Sequence, residues 1–156
     1  MNDPSGENII IVTSGANELV SPAQQRETVD ELRRQGPVPI VLAQGELTPE
    51  HSAELPKLVA NSDSRLVLNL APVTTRDPEL LAAADPLVLN EGEAAAVLDA
   101  APGTPVEDLI EDLRATARSV VVTLGQRGAL ILEKDAKPVH IPAVYVEHVV
   151  LSLIHI

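Results

Sequence analysis

The sequence predicts an α/β fold: a parallel sheet flanked by helices, three layers deep, with a hairpin at one edge. Three observations predict it. Short apolar runs rich in β-branched residues alternate with stretches that open on helix-start signals. The middle runs show no apolar–polar alternation, the pattern of strands buried on both faces. Finally, the core must be built from Val, Leu, Ile and Ala, because the 156 residues include one Tyr and no Phe or Trp. Short branched side chains of that kind suit strands sandwiched between helices.

Taken in order, the first strand-like run is Ile9–Thr13, with only a few residues before it. Ser21-Pro22 with Gln24 then reads as a helix start: an N-cap, a proline in the first turn and a capping-box partner. Val38–Ala43 is the next strand, followed by the cap-plus-proline start Thr48-Pro49. Leu66–Leu70 leads to Asp77-Pro78, and Pro86–Leu89 to Asn90. Thr104-Pro105 with Glu107 predicts a second complete capping box, and Ser119–Leu124 a further strand. Helices of roughly 8–15 residues are expected after each start. Strand–helix–strand repetition implies right-handed crossovers and parallel pairing. Ala129–Glu133 and Val139–Ile141, joined by Lys134-Asp135-Ala136, are too close for a crossover and predict the edge hairpin. The chain shows no repeat, no low-complexity linker and no second domain.

Composition excludes several functions. Eleven basic and twenty-three acidic residues give a net charge of −12. Such a field repels phosphate backbones, and there is no set of aromatic side chains for bases to stack on, so nucleic acid is not an expected partner. The absence of cysteine removes disulfides and thiolate metal sites. The polar start MNDPSGEN lacks the basic-then-apolar order of a secretory signal, and no apolar run approaches bilayer length. A soluble cytoplasmic protein is the expectation.

In an open parallel sheet, ligands bind beyond the carboxyl ends of the strands. Polar and glycine residues follow four of the predicted strands: Gln44-Gly45-Glu46, Asn69 with Ala71-Pro72, Asn90-Glu91-Gly92-Glu93, and Thr123 with Gly125-Gln126-Arg127-Gly128. Each has a plain structural explanation. Asn90-x-x-Glu93 is a good capping box, and on spacing alone capping is the favoured role. The functional alternative is an amide and a carboxylate organising phosphate oxygens and the waters of Mg²⁺. Gly125-x-x-Gly128 is either a turn into the next strand or bare backbone that a nucleotide can approach. Glu46 is equally a solvated loop charge. His51 reads as a surface residue, and His140, His148 and His155 have no metal-site spacing.

The segments GENIIIVTSGAN, IVLAQGEL, LVLNLAP, DPLVLNEGEA and VVVTLGQRGAL, in this order, resemble successive landmarks of the ribokinase-like (PfkB-type) carbohydrate kinases. The likeness covers residues 5 to 150. The GEN…GAN opening and Asn69-x-Ala71-Pro72 are most similar to the ribose-phosphorylating members. The resemblance implies the ribokinase-like three-layer α/β/α fold and ATP-dependent transfer of a phosphoryl group to a sugar hydroxyl, D-ribose giving ribose 5-phosphate. It places Glu46 on the acidic position that bonds sugar hydroxyls. Asn90 and Glu93 fall on the motif that holds the triphosphate and, through water, Mg²⁺. Thr123, Leu124, Gly125, Gln126, Arg127 and Gly128 fall on the segment lining the nucleotide. With this in view, Asn90 and Glu93 both cap the helix and serve the site. ATP, Mg²⁺ and a monovalent cation (K⁺) are the implied cofactors, and a homodimer formed through a lid is implied for an intact member.

The resemblance also implies that this is an internal part of such a domain. The family's catalytic base is an aspartate in a Gly-Ala-Gly-Asp stretch that follows the hairpin. After Val150 this sequence reads Leu-Ser-Leu-Ile-His-Ile. Residues 1–150 are thus expected to be the central part of the kinase domain and 151–156 a tail foreign to it. No catalytic residue is assigned, and the chain alone is expected to be inactive. The competing expectation is a non-catalytic nucleotide- or sugar-binding module using the same edge. A flavodoxin-like carrier or receiver is disfavoured, lacking an aromatic flavin platform and an acidic phospho-acceptor cluster.

Overall fold

The structure, a computed structural model, describes residues 15–145. The predicted strand Ile9–Thr13 and the segment 151–156 lie outside the described residues. A short 3₁₀ turn, Gly15–Leu19, leads into α1 (Pro22–Gln35). The Ser21–Gln24 capping box forms as expected, the Ser21 hydroxyl accepting from the backbone and Gln24 reaching back to the Ser21 amide. Then come β1 (Ile40–Gln44), α2 (Pro49–Ser52), α3 (Pro56–Val59), β2 (Arg65–Asn69), α4 (Pro78–Ala83), β3 (Ala84–Asn90), α5 (Glu91–Val97), α6 (Ile110–Thr116), β4 (Ser119–Thr123), β5 (Ala129–Glu133) and β6 (Val139–Ile141).

The six strands form one sheet in the order β1-β2-β3-β4-β5-β6. β1 to β4 are parallel; β5 and β6 run antiparallel and make the edge hairpin. Because the parallel strands advance in one direction, crossovers of one hand all carry their helices over the same face. Burial confirms it. On that face Leu66, Leu68, Leu87, Leu89, Val120, Val122 and Leu132 are 0–1% exposed. They pack with Leu58 of α3, Leu80 of α4, Ala94 of α5 and Leu113 of α6 in a single core.

Four expectations need correction. The middle strands are not buried on both faces: the alternate positions Val67, Val88 and Val121 are only part-buried, and β1 has no buried residue at all. The second layer of helices is absent from the described residues, for the topological reason just given. The helices are also shorter than expected. Only α1, with 14 residues, falls in the expected range, and α2 and α3 have four each. Thr48 caps α2 as expected, but Pro56 breaks the helical run and restarts it as α3. Asp77 likewise caps α4 through the Leu80 amide at 2.8 Å, and α4 passes into strand at Ala84. Lastly, the Thr104–Glu107 box does not form. The Thr104 hydroxyl donates to the Ala101 carbonyl at 2.7 Å, and Glu107 turns to Arg127. A 3₁₀ turn, Val106–Asp108, takes the place of the predicted helix start.

At the amino ends of the strands, Asp85 sits where the β2–β3 register shifts. Arg65 donates two hydrogen bonds to it at 3.0 Å, and Ser119 donates a third at 2.5 Å. Partial burial works against its charge, but the Ser119 and Arg65 hydrogen bonds and the Arg65 and Arg118 charges together hold its pKa below the ordinary value. A carboxylate whose folded pKa is depressed gives stability present above its unfolded pKa and lost as pH falls through the folded one. Asp85→Asn should therefore lower stability near neutrality and flatten the loss of stability below pH ~4. Urea titrations of both proteins across that range check this; parallel pH profiles would refute it.

Candidate functional site

Parallel pairing of β1 to β4 brings four carboxyl ends to one edge of the sheet, where the sequence placed its polar cluster. At β3, Asn90 turns the chain from strand into α5. Its Oδ1 accepts from the Glu93 amide at 2.8 Å, while the Glu93 Oε2 accepts from the Asn90 amide at 2.7 Å. The capping box is therefore real, and it fixes both side chains in place. Thr123 at the end of β4 is the register partner of Asn90, so the two lie side by side on the same face of the sheet.

Beyond Thr123 the chain makes a 3₁₀ turn, Gly125–Arg127. Leu124 donates to the Gly128 carbonyl at 2.8 Å and Gly128 to the Gly125 carbonyl at 3.1 Å, closing the turn. Gly125 has φ +56° and Gly128 φ +99°, conformations that favour glycine. A Cβ on Gly128 would lie 2.0 Å from the Ile141 carbonyl oxygen, so this turn also needs glycine to let β6 pass.

Arg127 ties the turn down. Its guanidinium pairs with Glu91 in the first turn of α5 and donates to Glu107 at 3.0 Å. The Glu107 hydrogen bond, then the Glu91 charge, raise the arginine pKa. Glu107 is shifted down by its own backbone amide and then by the Arg127 hydrogen bond. His140 on β6 also meets the turn, one ring nitrogen standing 2.7 Å from the Arg127 carbonyl oxygen and donating to it. The glycine turn, the start of α5 and the edge hairpin are thus joined into one unit.

Glu46 lies elsewhere along the edge. Asn69, the register partner of Gln44, is in turn paired with Val88, so β1 and β3 are two strand spacings apart, ~10 Å. Asn17 donates to the Glu46 carboxylate at 2.8 Å. The pair stands at the polar end of a cavity of about 480 Å³ that continues between α1 and β1 to Leu55 and Leu58. The loops after β1 and β2 are locked together: Gly45 donates to the Asn69 carbonyl at 3.0 Å, and Thr74 donates to the Gly45 carbonyl at 3.0 Å. The structure therefore unites Asn90, Glu93 and Thr123–Gly128, and holds Glu46 apart on the other flank. Sequence reasoning gave no site role to Asn17 or Glu91, and gave Glu107 only that of a capping-box partner. For Asn17 the GAN segment was a usable signal; for the two glutamates, contacts made 36 and 20 residues away left none.

Among the described residues no three His, Asp or Glu side chains gather as a metal cage. No helix there is long and apolar enough to cross a membrane. This is an α/β domain with its polar groups collected at the carboxyl ends of its strands. Residues 1–151 match the pfkB family carbohydrate kinases, and the chain belongs to that family. It is 29% identical over 144 residues to the ribokinase of Bacillus subtilis strain 168, a match that takes in 92% of this chain and 46% of that protein. The crystal structure of a ribokinase from Thermotoga maritima superposes with a TM-score of 0.73 at 27% identity, covering 95% of this chain and 48% of that one. An Arabidopsis thaliana ribokinase, solved with ribose and ATP, gives a TM-score of 0.68 at 24% identity over 92% of this chain and 46% of that one. The chain thus spans about half the length of these relatives.

Proposed function

We propose that the chain provides the nucleotide shelf and one sugar contact of an ATP-dependent kinase that phosphorylates ribose. The observation carrying this reading is the fixed pair Asn90–Glu93 beside Thr123 and the tethered Gly125–Gly128 turn. In this reading the side-chain amide nitrogen of Asn90 and the backbone of the turn meet the nucleotide. Glu93 has one oxygen committed to the Asn90 amide, and its other oxygen, Oε1, forms no hydrogen bond among the described residues. One carboxylate with a free oxygen suits Mg²⁺, which keeps most of its waters and is commonly held by one or two carboxylates plus phosphate. Bound there, the ion would neutralise phosphate charge. Glu46, oriented by Asn17, would accept hydrogen bonds from sugar hydroxyls. Ribose as the sugar rests on the ribokinase relatives, one of them solved with ribose and ATP.

The sequence contains no Gly-Ala-Gly-Asp stretch, so in this reading the chain alone binds without turning over. Loss of even one charge-stabilising donor costs about a hundredfold or more in rate. Calorimetric titration with ATP should show Mg²⁺-dependent binding that Glu93→Gln weakens about tenfold, ~1.4 kcal/mol. A coupled assay with ATP and ribose should stay at background. Binding that ignores both Mg²⁺ and Glu93→Gln would remove the nucleotide assignment. Turnover comparable to that of an intact ribokinase would remove the proposed inactivity.

A further inference from the structure

The proposed shelf, Asn90–Glu93 with Thr123–Gly128, contains one basic residue, Arg127. A guanidinium in such a place is the ordinary partner of a phosphate. Here it is already engaged. One terminal nitrogen donates to Glu107 at 3.0 Å, and the other pairs with Glu91. To meet a phosphate, Arg127 would have to release both carboxylates and leave them unpaired beside a polyanion. Kept in place, two carboxylates outnumber one guanidinium, so the cluster offers a phosphate no net positive charge.

Both partners are anchored, and the turn is not. Glu91 opens α5, which buries Ala94, Ala95 and Val97. Glu107 lies in the 3₁₀ turn whose Val106 is buried in the core. Gly125, Gln126 and Arg127, in contrast, are all exposed, and glycines with positive φ stand at both ends of the turn. Glycine loses more conformational freedom on being ordered than any other residue, and backbone left unordered binds a ligand weakly. We propose that Arg127 is a positioning residue: by bridging Glu91 and Glu107 it holds the backbone of the Gly125–Gly128 turn against the start of α5, and it makes no contact with the nucleotide itself. The bridge thereby sets the turn beside the Asn90–Glu93 pair that caps the same helix. Single exposed ion pairs hold little, but a planar guanidinium shared by two carboxylates forms a small network, the case in which such pairs count. This role presupposes that the shelf binds nucleotide, and it assigns the arginine's part in doing so.

The test is calorimetric titration of the full chain with ATP and Mg²⁺. Arg127→Met should weaken binding about fourfold, roughly twofold for each exposed pair lost. Arg127→Lys should recover part of that loss, since an ammonium can hold one of the two carboxylates. The deciding variant is Glu91→Gln with Glu107→Gln, which leaves Arg127 in place. A positioning arginine loses its hold there, so binding should fall by about the same factor, and adding Arg127→Met should weaken it no further. An arginine that touches phosphate predicts the reverse: freed from both carboxylates, it would bind ATP more tightly than in the parent. Tighter or unchanged binding by the double glutamine variant, or a further loss when Arg127→Met is added, overturns the proposal. Arg34→Met, which breaks a comparably exposed pair with Glu31 on α1, should leave binding unchanged. An equal loss there would make the effect one of net charge and overturn the proposal too. Hydrogen exchange without ATP tests the bridge by itself: the Leu124 and Gly128 amides, which close the turn, should exchange faster in Arg127→Met. Unchanged exchange overturns the bridge. A parent chain that fails to bind ATP overturns the nucleotide reading and the positioning role with it, even where exchange shows the bridge to exist.

Discussion

Replacing Gly45 with alanine is expected to be among the most damaging single changes in this protein. The added methyl would stand 2.1 Å from the Pro72 carbonyl oxygen and 2.8 Å from the Ala71 nitrogen, both backbone atoms. Neither can swing aside as the end of a long side chain could. The loops after β1 and β2 would have to separate, endangering the Gly45–Asn69 and Thr74–Gly45 hydrogen bonds. Overpacking in rigid surroundings costs about 1–3 kcal/mol, and two lost hydrogen bonds add about 1 kcal/mol each. A loss of ~3 kcal/mol is a large share of an ordinary domain's stability. Urea denaturation should show a lower midpoint with little change in slope; a midpoint within error of the parent would contradict the structure.

Gly128→Ala should do comparable harm, but locally. The residue combines φ +99° with ψ −127°, a region closed to alanine at a cost of about 1–3 kcal/mol. Its methyl would also press on the Ile141 carbonyl oxygen at 2.0 Å. β6 is an edge strand of three residues with no buried position, so it is the element that gives way. Hydrogen exchange should lose protection along the β5–β6 ladder, from Ala129–Ile141 to Ile131–Val139, while Leu87 and Val122 in the core keep theirs. Uniform loss of protection across the sheet would show that the hairpin and core unfold together.

The strands were legible because their runs are short, branched and bounded by turn residues. β5 and β6 begin and end at the predicted residues, and β2 and β4 within one of them. The cluster at the carboxyl edge was legible for the same reason: parallel order fixes which strand ends share an edge. Burial was misread in an instructive way. Leu66-Val67-Leu68 and Val120-Val121-Val122 are apolar at every position, as strands destined for two covered faces should be. The described fold covers only one, so the sequence reports an environment that these residues do not complete by themselves. Helix length was illegible beyond the caps, since caps mark starts while Pro56 and the turn into β3 set the ends. Arg127 could not be assigned from local pattern at all. Its partners Glu91 and Glu107 meet it only after the crossover between β3 and β4 has closed.

The order of the sheet has a kinetic consequence as well. Among the described residues, neighbouring strands in the sheet are neighbours in sequence, and none of the six skips a neighbour. Among the described strands no pairing reaches past the next strand in sequence, and the widest closure, between β3 and β4, joins Leu87 to Val120. Low sequence separation between contacting residues favours rapid assembly. The sheet can zip up one crossover at a time, starting at the hairpin of β4 and β5, where Val122 and Leu130 are separated by a single tight turn.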